Sequence, residues 1–390
     1  MTPHTFAAPA TPATTAPKTT GVPPAVEAPP AVEVPAGPAP EVPAPHAPVD
    51  ATDRSGAARR SGAFATPAAR RRWWLTYLAV TGLALCFAVG LLVWKNPMPP
   101  GSRGFWLIAE RRLDAIIAMV VVALCQALAT VAFQTATGNR IITPSLMGFE
   151  SLYRAIQTAT IFFFGAAGLT ATRTAPMFAL RLLLMVGLSL LLYSWLLTGG
   201  TRNLYSMLLI GIVIGSALGS LTTFMQRLLT PSEFDLLSAR LFGSIANADP
   251  EYYPIAIPLV VVCAAALLAY SRRLNVLALG RDTATTLGLS HTRATIGVLV
   301  LVSVLMATST ALVGPMTFLG FLVATLSYQL SGTYDHRYLF PMAASLGLLV
   351  LTGAYFIMRH IFYAQGVVSI IVELVGGSVF LVVVLRKGRL

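Results

Sequence analysis

Residues 113–135 read LDAIIAMVVVALCQALATVAFQT. After Asp114 the stretch carries no charge. About 20 apolar residues in an α-helix cross a hydrocarbon core of roughly 30 Å, so residues 113–133 read as a membrane span. Working outward, comparable runs occupy 73–94, 150–168, 176–198, 204–228, 253–271, 294–313, 315–330, 339–360 and 366–386. Glycine and polar residues interrupt the third, eighth and ninth of these ten runs. No alternating pattern of a closed barrel is present, so helices must satisfy the backbone internally. The fold class expected is an all-α polytopic membrane protein with about ten transmembrane helices.

Composition agrees. Of 390 residues, 56% are hydrophobic and 11% charged, against roughly 25% charged in soluble domains. The net charge of +12 does not indicate nucleic acid, because the basic residues lie in short loops between apolar runs, where they set orientation. Cys86, Cys125 and Cys263 all fall inside apolar runs and read as small core residues. The five histidines show no ligand spacing, so no metal site is expected. GxxxxGK[ST], HExxH and GxSxG are all missing. No catalytic residue or resident cofactor is therefore expected in this chain.

Residues 1–69 are a different material. They hold 15 of the 26 prolines in PAT, PAV and PAP repeats with almost no aromatics. Such a segment buries too little apolar surface to offset its ordering entropy, so a disordered Pro/Ala-rich tail is expected ahead of a membrane domain at 70–390. Ten spans place both ends on one side. Arg70–Arg72 and the terminal Arg386, Lys387 and Arg389 make that side cytoplasmic. The loops holding Arg140, Arg272–Arg293, and His336 with Arg337 then share it.

Two features within the spans are open to more than one reading. Gly211, Gly215 and Gly219 recur every four residues, a close-packing pattern that would equally suit the lining of a solute path. Glu373, in the last run, is an ionisable group at membrane depth and is the residue a proton-coupled secondary carrier would use.

Residues 274–290, LNVLALGRDTATTLGLS, are too polar to span. Asp282 is placed to cap a short helix and Gly288 to end it. So short a helix is unstable alone in water. One face must be held by the neighbouring spans, which leaves the other for a partner.

Several stretches together resemble the permease subunits of type II ABC importers, which take up iron–siderophores, haem and vitamin B12. The 113–135 span is followed by GNRIITPSLMGFESLY, similar to the family's Asn-Pro-Leu-type loop. Residues 274–290 resemble its Leu-x-Leu-Gly-Glu-x-x-Ala-x-x-Leu-Gly loop. ALVGPMTFLGFLVATLSYQLSGTYDHRYLFPMAASLG resembles its Gly-Pro-Ile-x-Phe-Val-Gly-Leu segment with Asp-His-Arg-x-x-x-Pro, and GVVSIIVELVGGSVFLVVVLRKG resembles its closing span.

The resemblance implies a type II ABC importer permease fold in a bacterial cytoplasmic membrane. It implies a coupling loop at about 272–293 that seats in a dimer of ABC ATPases, through Leu274, Leu277, Leu279, Gly280, Arg281, Asp282, Ala284, Leu287 and Gly288. ATP and magnesium would belong to that partner. Arg112 and Arg359 would dock an extracytoplasmic siderophore-binding lipoprotein. The family's Arg-x-Pro-Arg is altered here to AERRL, with Arg111 as the substitute for its first arginine. Gln134 and the three glycines would line or pack the translocation path. A second, different permease is the expected pairing, with a homodimer as the alternative. A ferric siderophore is the expected cargo, and cobalamin or haem the alternatives.

Overall fold

A computed structural model of the chain describes residues 62–95, 97–99, 101–171, 174–198, 204–362 and 368–387. The disorder expected for residues 1–61 lies outside them. The described residues contain thirteen α-helices: α1 (Pro67–Val93), α2 (Arg103–Thr137), α3 (Phe149–Ala171), α4 (Ala175–Thr198), α5 (Leu204–Arg227), α6 (Pro231–Leu241), α7 (Tyr253–Ala269), α8 (Ser271–Leu277), α9 (Arg281–Thr286), α10 (His291–Val313), α11 (Leu319–Ser331), α12 (His336–His360) and α13 (Val368–Lys387). Every one of the ten apolar runs holds a helix. Among the described residues, six helical stretches are long and apolar enough to cross a membrane: α1, α2, Leu209–Arg227 of α5, Pro250–Ala269 ending in α7, α10 and α12.

The departures from the expected spans have local causes. Thr66 caps α1, accepting a hydrogen bond from the Ala69 N–H, and Pro67 fills the first helical position. Helix therefore takes over the last residues assigned to the tail. Helix α3 is bent at Gly165, whose φ of 67° is outside the helical region. The eighth run starts late: α11 has 13 residues, about 20 Å of helix at 1.5 Å per residue. The residues before it cannot extend the helix. Pro315 has no N–H, and Gly314 sits at φ 93° against the Gly243 backbone. That break is hydrogen-bonded: the Ser244 N–H donates to the Val313 carbonyl and the Ser369 N–H to the Gly243 carbonyl.

Helix α2 is the axis of the core. From Val121 to Ala136 every side chain except Leu124 is buried, and α2 packs on α10, α12, α11 and α7. Small residues allow this. A Cβ on Gly320 of α11 would overlap Thr130 Oγ1, and one on Gly347 of α12 would come within 3.2 Å of the Ala123 carbonyl. Buried polar groups pair across the same seams. Gln126 Nε2 donates to Ser309 Oγ at 3.1 Å, and Tyr253 Oη donates to the Asp114 carbonyl at 2.6 Å.

The outer surface is apolar instead. Leu75 and Leu78 of α1, Leu183 and Leu191 of α4, and Leu374 of α13 are exposed, as expected of a chain whose solvent there is lipid or another subunit. Cys125 and Cys263 are buried, but Cys86 faces this apolar exterior. It is no core residue, because α1 is a peripheral helix with one face on α12.

Candidate functional site

Helices α8 and α9 fold the 274–290 stretch into two short turns with opposite faces. Leu274, Leu277 and Ala284 are completely buried, while Leu279 and Leu287 are 58% and 61% exposed. Gly280, Arg281, Asp282 and Gly288 are exposed beside those two leucines. The buried half is held by α2, α10 and α12.

The capping differs from expectation at one residue. Gly280, at φ 92°, is the N-cap of α9 and makes no side-chain cap bond; Asp282 lies in the first turn. Its carboxylate there favours the positive helix end without bonding it. Gly288 does end the helix. At φ 80°, its N–H donates to the Thr285 carbonyl and the Leu289 N–H to the Ala284 carbonyl, the pair of bonds that closes a Schellman turn.

The loops around α8–α9 meet at one end of the molecule. Asp335 caps α12, its Oδ1 accepting from the Arg337 N–H at 3.1 Å, and it pairs with the Arg337 guanidinium at 2.7 Å. Asn275 of α8 donates to the same carboxylate at 2.9 Å. Desolvation acts to raise the Asp335 pKa, but these bonds and the guanidinium overcome it and hold the carboxyl at about 2. The Arg140 guanidinium stacks on Tyr328 and Tyr334, and Thr333 Oγ1 donates to the Ala63 carbonyl. The three loops that charge assigned to one side are thus neighbours in space.

At the opposite end the arginines divide. Arg111 is exposed and Arg359 is half-buried in the last turn of α12. Arg112 is buried. Its guanidinium donates to the carbonyls of Leu91, Leu92, Trp94 and Lys95 at 3.0–3.3 Å, acceptors in the last turn of α1, at its C-cap and just past it. No local pattern signals this, because the contact joins residues about 20 apart through a helix–helix turn.

The glycine stripe also divides. Gly211 and Gly215 lie against Gly148, and a Cβ on Gly215 would touch Ser151 Oγ at 3.4 Å. A Cβ on Gly219 would meet nothing within 4 Å. Gly219 lines a groove of about 610 Å³ with Ser151, Arg154, Ser216, Ser220 and Arg227. Gln134 is not in that lining. It is buried, and its Nε2 donates to the Arg140 carbonyl at 2.7 Å, holding the turn after α2. Glu373 is half-buried and is not isolated: Arg154 and Glu150 are within electrostatic reach. Glu150 and Arg154, one turn apart at the start of α3, carry no signal in the sequence, because α3 enters beside α5 through a turn that hydropathy does not register.

The FecCD transport family matches residues 71–386. The chain is 54% identical over 332 residues to the petrobactin import system permease protein FatC of Bacillus anthracis, covering 85% of this chain and 94% of that one. It is 35% identical to the petrobactin import system permease protein YclO of Bacillus subtilis, covering 81% and 96%. In three dimensions it is similar to a metal-chelate type ABC transporter in an inward-facing conformation. The TM-score is 0.69 at 23% identity, over 80% of this chain and 99% of the other. Ten helical runs with α2 at their core, a half-anchored α8–α9 loop and these matches agree: the chain belongs to the FecCD transport family and is a multi-pass membrane permease with the type II ABC importer fold.

Proposed function

We propose that this permease moves a ferric siderophore, ferric petrobactin first among the candidates, into the cytoplasm, driven by a separate pair of ABC ATPases. The observation that carries the mechanism is the two-faced α8–α9 loop. Leu274, Leu277 and Ala284 fix it to the spans, and Leu279 and Leu287 with Arg281 and Asp282 offer an apolar, charge-rimmed surface to the ATPase. Two leucines left exposed on a polar loop have no use in the isolated chain. Petrobactin is named by the two relatives at 54% and 35% identity, and cobalamin and haem are less favoured for that reason.

ATP and magnesium belong to the ATPase. The α8–α9 end is cytoplasmic, with both termini on that side and the Pro/Ala-rich residues 1–61 as a cytoplasmic tail. At the other end Arg111 and Arg359 meet the binding lipoprotein. Exposed ion pairs contribute only ~0–1 kcal/mol each, so they steer and orient more than they hold. The α3–α5 groove with Gly219 faces the path formed with a second, unlike permease. The Glu373 proton-carrier alternative loses ground to family membership and to the nearby Arg154.

The test is uptake of iron-labelled petrobactin into vesicles holding the permease, its ATPase and its binding protein. Uptake is expected to require ATP, to survive an uncoupler while ATP is held constant, and to persist in Glu373→Gln. Uptake that collapses with the uncoupler, or that proceeds without the ATPase, would replace this mechanism with the carrier.

A further inference from the structure

The Asp335-His336-Arg337 sequence contains one residue to which the mechanism above gives no task. His336 is 2% exposed, and both of its ring nitrogens are engaged. Nδ1 lies 2.5 Å from Asn275 Oδ1, and Nε2 lies 2.7 Å from Thr135 Oγ1. The backbone N–H of His336 also donates to Asn275 Oδ1, at 3.0 Å. An amide oxygen that accepts from a backbone N–H cannot itself donate, so the Asn275 amide is oriented and Nδ1 must carry a proton. Asn275 Nδ2 is then turned toward Asp335. Nε2 is then the acceptor, and Thr135 Oγ1 gives it its single proton in preference to the Val131 carbonyl one turn back, the other acceptor within reach.

These contacts join three elements at one point. Asn275 is the polar residue of α8 that lies between the buried Leu274 and Leu277. His336 opens α12. Thr135 lies in the last turn of α2, the axis of the core. Leucine packing alone would let α8 slide, since apolar contacts have no directional preference. Two short bonds in opposite directions through one rigid ring do not.

We propose that Asn275, His336 and Thr135 form a directional link through which displacement of α8–α9 is delivered to α2 and α12. These are positioning residues, and the proposal rests on the ATPase-coupling reading of α8–α9 given above. An ATPase bound to Leu279 and Leu287 would still hydrolyse ATP with the link cut, but the spans would follow its stroke poorly.

The test uses the reconstituted complex and two readouts, ATP hydrolysis and import of ferric petrobactin. Thr135→Val keeps the side-chain shape and removes the hydroxyl, and Thr135→Ser keeps the hydroxyl. Asn275→Ala cuts the link on a half-buried residue if Thr135→Val does not insert. For Thr135→Val and Asn275→Ala we expect ATPase binding and hydrolysis within about twofold of the unmutated complex and import at least tenfold lower, so that ATP consumed per chelate rises about tenfold. Thr135→Ser should recover at least half of the import. Unchanged import in both link-cutting variants overturns the proposal, as does loss of hydrolysis in parallel with import, which would mark a merely structural contact. If the unmutated complex shows no ATP-driven import, the coupling reading falls and this proposal falls with it, an outcome distinct from failure of the variants alone.

Discussion

Replacing Arg112 separates two roles that its position allows. In the sequence it stands where a family member would present an arginine to a binding protein. In the structure it closes the end of α1. Nη1 donates to three carbonyls and Nη2 to a fourth. Because Nη1 has two protons, the set is equivalent to about three bonds. A hydrogen bond from a charged donor contributes roughly 1.5–3 kcal/mol, and the bonds are not additive. Removing the guanidinium from buried acceptors is expected to destabilise by about 3–5 kcal/mol. At roughly 2 °C per kcal/mol for a large domain, Arg112→Leu should lower the Tm of the purified permease by about 6–10 °C, read by intrinsic fluorescence. Arg112→Lys should lose about half as much, since one ammonium reaches fewer carbonyls. Binding-protein affinity, measured at a temperature where the variant is folded, should change less than about threefold. A variant with unchanged Tm and a binding-protein affinity more than tenfold weaker would refute the argument and return Arg112 to the docking surface.

Three further outcomes are expected. Leu279→Asp with Leu287→Asp should leave the Tm within about 2 °C, because both side chains are exposed in the free chain. It should weaken ATPase association by about 10²-fold or more in a co-purification titration, since burying each leucine is worth ~1.5–3 kcal/mol. Gly320→Ala should destabilise by about 1–3 kcal/mol through the overlap with Thr130, whereas Gly219→Ala, in open space, should be neutral or stabilising by up to ~1 kcal/mol; equal Tm values for the two would contradict the packing described. Asp335 titrates lower folded, at about 2, than its ordinary 3.8. The stability it adds is therefore complete above pH ~4 and lost as pH falls toward 2. The Tm difference between the unmutated chain and Asp335→Asn should be flat from pH 7 to 4 and shrink below that, and a gap that widens on acidification would show the sign to be wrong.

Much of the molecule is written in local sequence. Twenty-odd apolar residues in a row leave a chain in lipid no choice but helix, so all ten runs are legible from hydropathy alone. Turn chemistry is local as well: Gly288 ends α9 as its type demands. The half-buried, half-exposed character of 274–290 follows from a helix too short to stand alone. Tertiary structure decided the rest. It showed that Leu274 and Leu277 are anchors and Leu279 and Leu287 are free, since the spacing of leucines does not say which face neighbouring spans will cover. It divided one glycine stripe into two packing residues and one groove residue, because that depends on where Gly148 arrives. It took Arg112 from the surface to the end of α1, and it joined His336 to Asn275 and Thr135, which lie 61 and 201 residues from it along the chain. Hydropathy reports how a residue partitions between water and lipid; which polar group it meets there is fixed only when the helices pack.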